Sequence, residues 1–296
     1  MALRESDCTG VWVPVVTPFR DDALDLGRVT AQVDSWIAAG IRGFLALGTT
    51  GEAPHLSDAE CVEVVVAYAR AAAGRVPFFA GSGRGSTAAA VELGRRLAEA
   101  GADALMVLTP HAYRSQVDAD TLRRHYESLA SQSPVPVFVY HMPGMTGLDL
   151  DPEVLADLVR IPNIWGFKDS AAVGGPLAAT LRSIRTLGFV GNGLRLVEGL
   201  EAGAIGGILA IANAAPEPCV AIDAAWRAAD VDRARRLQAS ASEFVNALQP
   251  FGVAGIKEAM AARGWDAGTV RSPLLRPDPA ARLEIARALE RFLAAV

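Results

Sequence analysis

Eight short apolar runs, rich in β-branched and aromatic residues, recur along the first two thirds of the sequence, and amphipathic segments of helical length separate them. Strands that are apolar on both faces and joined by helical crossovers predict a parallel sheet covered by helices. Eight such units within about 220 residues match a closed (β/α)8 barrel, with an open doubly wound sheet as the alternative. The runs are VWVPVV at 11, GFLALG at 43, VPFFAG at 76, ALMVLT at 104, PVFVYH at 136, IWGFKD at 164, FVGNG at 189 and GGILAI at 206.

Helix start signals support this alternation. Ser57, Ser86 and Asp118 each precede an amphipathic segment and are residue types that favour the N-cap position. After residue 230 the strand signals stop, and three more amphipathic segments follow. The sequence therefore predicts an α/β protein of two domains: a (β/α)8 TIM barrel over residues 1–230 and a C-terminal helical extension over residues 231–296.

Composition narrows the choice of partner. Apolar residues make up 51% of the chain, and its net charge is −5 with no cluster of basic residues, so neither nucleic acid nor an anionic membrane is expected. The N-terminus lacks a signal-peptide apolar segment, which favours a cytoplasmic location. Three widely spaced cysteines and four histidines without ligand spacing predict neither metal nor cofactor. A small molecule is the expected partner.

Lysine is the rarest charged residue. Of 28 Lys and Arg residues, only Lys168 and Lys257 are lysines. Arginine therefore supplies nearly all of the positive charge, which suggests that a lysine is used for a property other than its charge. Lys168 ends the sixth run, and active sites of such barrels lie at the carboxyl ends of the strands. Strand alternation predicts Trp165, Phe167 and Asp169 on the helix side, and Ile164, Gly166 and Lys168 on the other face, with Gly166 leaving space for the lysine.

A lysine in an apolar barrel interior is expected to have a lowered pKa and to react, when neutral, with ketones. It does so by forming a Schiff base, which arginine cannot form. The alternative is a Lys168 that extends to solvent or pairs with Asp169. Lys257, in the C-terminal region, is expected to be structural.

Two further segments fit this chemistry. Tyr140 ends the fifth run in phase with Phe138, so its phenol is expected inside the barrel as a proton carrier; a buried tyrosine bonded to the backbone is the alternative. The GTTG turn after the second run is suited to point N–H groups, with the hydroxyls of Thr49 and Thr50, at the carboxylate of a 2-oxo acid. A plain turn is the alternative there.

An ordered set of motifs resembles the dihydrodipicolinate synthase / N-acetylneuraminate lyase family along nearly the whole chain. The motifs are VTPF at 16, GTTGE at 48, TP at 109, YHMPGMTG at 140, GFKDS at 166 and GGILAIAN at 206. The resemblance implies a (β/α)8 barrel with a C-terminal helical domain, assembled as a homotetramer or dimer. It also implies a lysine that forms a Schiff base with pyruvate or the pyruvyl part of a 2-oxo acid, without a cofactor.

Carried over residue by residue, the resemblance implies three catalytic residues. Lys168 matches the Schiff-base lysine, Tyr140 the catalytic tyrosine and Thr49 the hydroxyl of the proton relay. The implied substrate-binding residues are Thr50, Gly51 and the backbone of Ile208.

Four positions depart from the dihydrodipicolinate synthases and are expected to set specificity. Met145 stands where those enzymes hold the second substrate's carboxylate with an arginine. Ala112 occupies the position of a tyrosine that the synthases supply to the proton relay of a neighbouring subunit, with Tyr113 one residue further along, and His141 replaces the usual asparagine.

These departures favour the branch similar to 4-hydroxy-2-oxoglutarate aldolase. The predicted activity is a lyase that cleaves a 4-hydroxy-2-oxo acid to pyruvate and an aldehyde. Alternatives are 4-hydroxy-tetrahydrodipicolinate (dihydrodipicolinate) synthase, which condenses pyruvate with aspartate semialdehyde, and a keto-deoxy sugar acid dehydratase. A 2-oxo-acid-binding protein without catalysis is the alternative from another class.

Overall fold

All eight apolar runs form the strands of one closed parallel barrel. The computed structural model describes residues 3–171 and 175–296. Each strand pairs with the next along the chain, and the last closes onto the first, where Gly206 lies opposite Gly10. The predicted (β/α)8 barrel is confirmed, and the open sheet is excluded. The strands are β1 (Gly10–Pro14), β2 (Gly43–Ala46), β3 (Phe78–Gly81), β4 (Ala104–Leu108), β5 (Val137–His141), β6 (Ile164–Asp169), β7 (Leu187–Val190) and β8 (Gly206–Ile208).

Helices follow the strands and begin where the sequence predicts. Ser57, Ser86 and Asp118 each accept a hydrogen bond from a backbone N–H three residues later, which caps the helix that follows. A short hairpin of Phe19–Arg20 and Ala23–Leu24 follows β1. The helices are α1 (Val29–Ala38), α2 (Asp58–Ala72), α3 (Thr87–Glu99), α4 (Ala119–Gln132), α5 (Pro143–Thr146), α6 (Pro152–Leu158), α7 (Leu177–Ser183), α8 (Leu196–Glu201), α9 (Pro216–Arg227), α10 (Val231–Leu248), α11 (Gly252–Ala262) and α12 (Pro279–Leu293).

Aromatic side chains fill the lower barrel interior. The ring centroid of Phe79 lies 4.6 Å from that of Trp12 and 4.9 Å from that of Phe138, and Trp12 also contacts Phe189 at 5.3 Å. A side chain at Gly43 would overlap the Trp12 indole, so this strand position accommodates glycine alone. The packed rings form an apolar floor beneath the carboxyl ends of the strands.

Strand β6 departs from simple alternation at one residue. Val137 of β5 pairs with Ile164, but the next residue, Phe138, pairs with Gly166, so Trp165 is an extra residue in β6. Trp165 consequently packs with the barrel-interior cluster, and the prediction that it faces the helices was wrong. Beyond the irregularity alternation resumes, with Phe167 in the outer core and Lys168 inside.

Three helices form the C-terminal region, as predicted. Helix α10 packs against α9 and α12, and α11 packs against α12. The Lys257 Nζ of α11 lies 2.7 Å from a carboxylate oxygen of Glu52 and donates to the backbone carbonyls of Thr17 and Thr269. Lys257 is therefore the structural contact that the sequence predicted. Within residues 3–171 and 175–296, none of the helices has the length and apolar character of a membrane span.

Candidate active site

Lys168 and Tyr140 lie opposite each other on β6 and β5, at the carboxyl end of the barrel. The Lys168 Nζ is 4.3 Å from the centroid of the Tyr140 ring, and both residues are only 4% exposed. They line a cavity of about 500 Å³ that opens between the strand ends and the C-terminal helices. Among the described residues, no carboxylate lies within ion-pair distance of the Lys168 Nζ.

Asp169 faces away from Lys168 and is satisfied elsewhere. Its Oδ1 lies 2.8 Å from the His141 Nδ1 and accepts from the Ala171 N–H. Its Oδ2 accepts from the Leu177 N–H. The alternative in which Asp169 neutralises Lys168 is therefore excluded, since consecutive residues of the strand point to opposite faces.

The space beside the lysine comes from Gly191, in the loop after β7. A side chain there would lie 2.7 Å from the Lys168 Cε and would overlap the Ser170 hydroxyl. At Gly166 a side chain would instead meet the backbone carbonyl of Leu187, so that glycine permits close strand pairing and was wrongly expected to make room for the lysine. The Ser170 Oγ is buried and has no hydrogen-bond partner in the described part of the chain, which makes it available to a ligand.

The phenol of Tyr140 contacts a threonine and a methionine. Its Oη lies 3.4 Å from the Thr49 Oγ1 and donates to the Met142 Sδ at 2.8 Å. Burial raises the pKa of Tyr140, but the positive charge of Lys168 and the hydrogen bond with Thr49 outweigh burial, so the pKa is lowered from its usual value of 10.0. A tyrosine of lowered pKa between a hydroxyl and an amine is suited to transfer protons.

The GTTG turn offers hydrogen-bond donors beside the lysine. The Gly51 N–H is already bonded to the Gly48 carbonyl, so the structure does not leave it for a substrate. The N–H groups of Thr49 and Thr50 have no partner among the described residues, and both threonines line the cavity. Ile208, at the end of β8, also lines it. The turn thus leaves the N–H groups of Thr49 and Thr50, rather than that of Gly51, without a protein partner in the described part of the chain.

Of the four expected specificity residues, Met145 lines the cavity. Its Sδ lies 3.3 Å from the Thr49 Oγ1, in α5 above the reactive pair. His141 is fully buried and points outside the barrel, where its Nε2 accepts from the Leu150 N–H. Tyr113 is 82% exposed, and neither it nor Ala112 lines the cavity. Within one chain, neither Ala112 nor Tyr113 therefore places a proton-relay group beside Lys168.

A second cavity of about 340 Å³ adjoins the first. Thr49, Pro54, Tyr140 and Met145 line both cavities, and Arg84 and His111 line the second cavity alone. Within the described ranges, no group of three or more His, Cys, Asp or Glu side chains is arranged to bind a metal ion.

Sequence reasoning missed Ser170, Gly191 and Asn192, which all line the main cavity. Ser170 could have been predicted from the sequence. Side chains two residues apart in a strand point to the same side, so alternation that puts Lys168 inside the barrel puts Ser170 inside as well. Gly191 and Asn192 follow β7, and only the closed barrel brings them to the lysine of β6.

A buried lysine and a buried tyrosine, paired across adjacent strands at the carboxyl end of a (β/α)8 barrel, define a TIM-barrel enzyme for a small molecule. Residues 7–292 match the model of the dihydrodipicolinate synthetase family. The chain belongs to this family, and it is a lyase of the kind that the family comprises.

Relatives cover nearly the whole chain. An uncharacterized DapA-like lyase of Halobacterium salinarum is 38% identical over 281 residues, which are 93% of this chain and 91% of that protein. The 4-hydroxy-tetrahydrodipicolinate synthase of Jannaschia sp. is 35% identical over 282 residues, 93% of this chain and 95% of the synthase.

Solved structures share the fold over nearly the whole chain. YagE, a prophage protein from E. coli K12 of the dihydrodipicolinic acid synthase family solved with pyruvate, is 29% identical with a TM-score of 0.91 over 96% of this chain and 98% of YagE. The chloride-inhibited dihydrodipicolinate synthase from Acinetobacter baumannii, also solved with pyruvate, is 29% identical with a TM-score of 0.88 over the same shares of the two chains.

Proposed function

We propose that the protein is a Schiff-base lyase that cleaves a 4-hydroxy-2-oxo acid to pyruvate and an aldehyde, or joins the two in reverse. One observation carries the proposal: the Lys168 Nζ is buried, has no carboxylate partner among the described residues and lies 4.3 Å from the Tyr140 ring. A lysine amine that lies in a cavity without a carboxylate partner is placed to attack the keto carbon of a bound 2-oxo acid.

The first step forms the imine. The Lys168 nitrogen attacks C2 of the substrate, and the ketone oxygen leaves as water after it is protonated. Tyr140, next to Thr49, carries protons to and from this carbinolamine. The free N–H groups of Thr49 and Thr50 hold the C1 carboxylate, which fixes C2 in front of the nitrogen.

Carbon–carbon cleavage follows. The imine nitrogen stays protonated after water leaves. Tyr140, as phenolate, takes the proton from the C4 hydroxyl; the C3–C4 bond breaks, and its electron pair passes into the protonated imine to give a neutral enamine while the aldehyde leaves. Protonation of the enamine at C3 and hydrolysis of the imine by water then release pyruvate and return the free amine. The lowered pKa of Tyr140 supports its role as the base.

Two similar structures were solved in complex with pyruvate, which supports a pyruvyl group at Lys168. The second candidate is 4-hydroxy-tetrahydrodipicolinate synthase, because several relatives carry that name. Met145 argues against it, since a thioether cannot pair with the carboxylate of aspartate semialdehyde. A homotetramer or dimer, which the family resemblance implies, stays a prediction for native mass spectrometry.

Borohydride reduction in the presence of pyruvate tests the proposal. We expect a reduced pyruvyl adduct on the Lys168 peptide, identified by peptide mass mapping. The Lys257 peptide is the internal control, because that amine is held by Glu52 and two carbonyls. A protein that turns over substrate without this adduct, or that carries it only on Lys257, contradicts the mechanism, and Lys168→Arg must abolish both adduct and turnover.

A further inference from the structure

The outer half of the active-site cavity is apolar. Helices α10 and α11 and the loops after β7 and β8 build this part, at the far end from Lys168. A side chain at Gly193 would lie 2.9 Å from a methyl group of Val245, so the Gly193 backbone packs directly against this aliphatic side chain. We call this part the outer wall; it consists of Leu194, Ile211, Val245, Leu248, Val253 and Ile256.

Two of the polar side chains that line the cavity near the outer wall, Asn192 and Glu52, are already committed to protein partners, whereas the exposed Gln249 amide has none among the described residues. The Asn192 Oδ1 accepts from the Leu194 N–H, and its Nδ2 donates to the Ala171 carbonyl. The Glu52 carboxylate is bonded to Lys257 and to the Arg271 N–H, and its Oε2 also lies 3.3 Å from the His55 Nδ1. A polyhydroxylated substrate tail would thus lose hydration without gaining Asn192 or Glu52 as partners.

Charge also disfavours an anionic tail. Among the described residues that line the cavity, Lys168 is the one Lys or Arg side chain, and its nitrogen is bonded to C2 of the substrate in the protonated imine. The Glu52 carboxylate in the same lining is paired with Lys257, so it offers no positive charge. A second carboxylate at the outer wall would therefore be desolvated without a Lys or Arg partner of its own.

The size of the cavity leaves room for a large apolar group. A volume of about 500 Å³ lies within the range of small-molecule pockets and exceeds what a three-carbon acid fills. Because the outer wall and the reactive pair line the same cavity, one molecule can contact both.

We infer that the aldehyde part of the substrate is apolar, an aryl or branched alkyl group that lies on the outer wall while the pyruvyl part is bound at Lys168. This inference rests on the proposed function. The substrate class is then a monocarboxylic 4-hydroxy-2-oxo acid whose C4 carries a hydrocarbon group. Burial of such a group against aliphatic side chains contributes about 25 cal/mol per Å² to binding.

Condensation of pyruvate with three aldehydes tests the inference. Benzaldehyde represents the apolar class, glyoxylate the anionic class and glyceraldehyde the hydroxylated class, and kcat/KM is measured for each with the product identified by mass spectrometry. We expect kcat/KM for benzaldehyde to exceed both others by roughly tenfold or more. A higher value for glyoxylate or glyceraldehyde overturns the inference.

Two substitutions of nearly equal shape localise the effect. Val245→Thr together with Val253→Thr places hydroxyls on the outer wall, and we expect kcat/KM for benzaldehyde to fall roughly tenfold. Val231→Thr is the matched control, because it makes the same change in α10 at a residue outside the cavity lining. Equal losses in the double variant and the control overturn the placement of the aldehyde.

Borohydride trapping of pyruvate on the same samples separates this inference from the proposed function. Adduct on Lys168 without a preference for benzaldehyde overturns the apolar substrate class alone. Absence of the adduct overturns the lyase mechanism, and the inference that rests on it fails for that different reason.

Discussion

Tyr140 stands directly across from Lys168 in the register of β5 and β6, which holds the lysine Nζ 4.3 Å from the centre of the phenol ring. Two neighbouring parallel strands thus fix an amine and a phenol side by side without a loop. Residues on rigid strands keep such a geometry better than residues on loops do. The loop after β7 contributes to the position of the Lys168 amine by leaving space for the side chain, because Gly191 has no side chain of its own.

Replacement of the phenol hydroxyl tests its role as the proton carrier. Tyr140→Phe removes the Oη that lies between Thr49 and Met142, and we expect kcat to fall roughly 10²- to 10⁴-fold with the fold intact. Tyr126→Phe is the control: Tyr126 is also fully buried, but its hydroxyl donates to the Val107 carbonyl, away from the cavity. Comparable kcat losses in the two variants would rule out a specific role for Tyr140.

The ionisation of Tyr140 is predicted to depend on Lys168. The Lys168 charge favours the phenolate and burial disfavours it, so Lys168→Met removes the first effect, keeps the second and must raise the pKa of Tyr140. Ultraviolet difference titration of each protein against the same protein with Tyr140→Phe isolates this residue. A wild-type Tyr140 that titrates at or above pH 10.0, or a pKa unchanged by Lys168→Met, contradicts this account.

Met145 is predicted to exclude anionic aldehydes. Met145→Arg places a guanidinium above Thr49, where a charged hydrogen bond to a carboxylate contributes about 1.5–3 kcal/mol. We expect kcat/KM for aspartate semialdehyde to rise roughly tenfold or more, chiefly through a lower KM. Met145→Leu serves as the control of similar size, and an equal rise in that variant would mean that the thioether merely blocks access.

The buried pair of Lys257 and Glu52 is predicted to link α11 to the loop after β2. Burial lowers the pKa of Lys257 even though Glu52 opposes this effect, which reflects how little water reaches the pair. Lys257→Met leaves the Glu52 carboxylate buried without its cation and is expected to reduce the free energy of unfolding by about 3–5 kcal/mol.

Adding Glu52→Gln to Lys257→Met should restore more than half of that loss, because no unpaired charge remains. Arg123→Met breaks an exposed pair with Glu127 on α4 and should change stability by less than about 1 kcal/mol. Urea unfolding of the four proteins measures these differences. A double variant as unstable as the single one would show that Lys257 contributes through packing instead.

The sequence was most informative where structure is local. Alternation along a strand depends on neighbouring residues alone, so it correctly put Lys168 inside the barrel. The extra residue at Trp165 depends on how β5 and β6 pair, which no single strand encodes. His141 was expected to set specificity, although the alternation that turns Tyr140 inward turns His141 outward to Asp169.

The rest of the site could not be predicted, because residues that are far apart in the sequence meet there only in the folded barrel. Gly191 approaches Lys168 because β7 pairs with β6, and Glu52 meets Lys257 across 205 positions of sequence. The apolar outer wall likewise combines α10 and α11 with loops of the barrel, and neither region suggests a cavity by itself.

Stability at low pH is predicted to depend on His125 in α4. Burial lowers the pKa of His125 from 6.5 to about 4; its Nδ1 lies 2.8 Å from the Thr87 Oγ1, and its Nε2 has no partner among the described residues. Above pH 6.5 the ring is neutral in both the folded and the unfolded chain and the stability is complete. As the pH falls from 6.5 to about 4, the unfolded chain takes up the proton first, so stability decreases by about 3 kcal/mol in total.

Removal of the imidazole should therefore remove this part of the pH dependence. In urea unfolding, the loss of stability between roughly pH 7 and pH 4 should be smaller by about 3 kcal/mol in His125→Gln than in the wild type. His125→Leu should show the same reduced dependence, although the two variants will differ from each other in stability at neutral pH, because glutamine can bond to Thr87 and leucine cannot. A wild-type dependence on pH in both variants would show that His125 is accessible to protons in the folded protein.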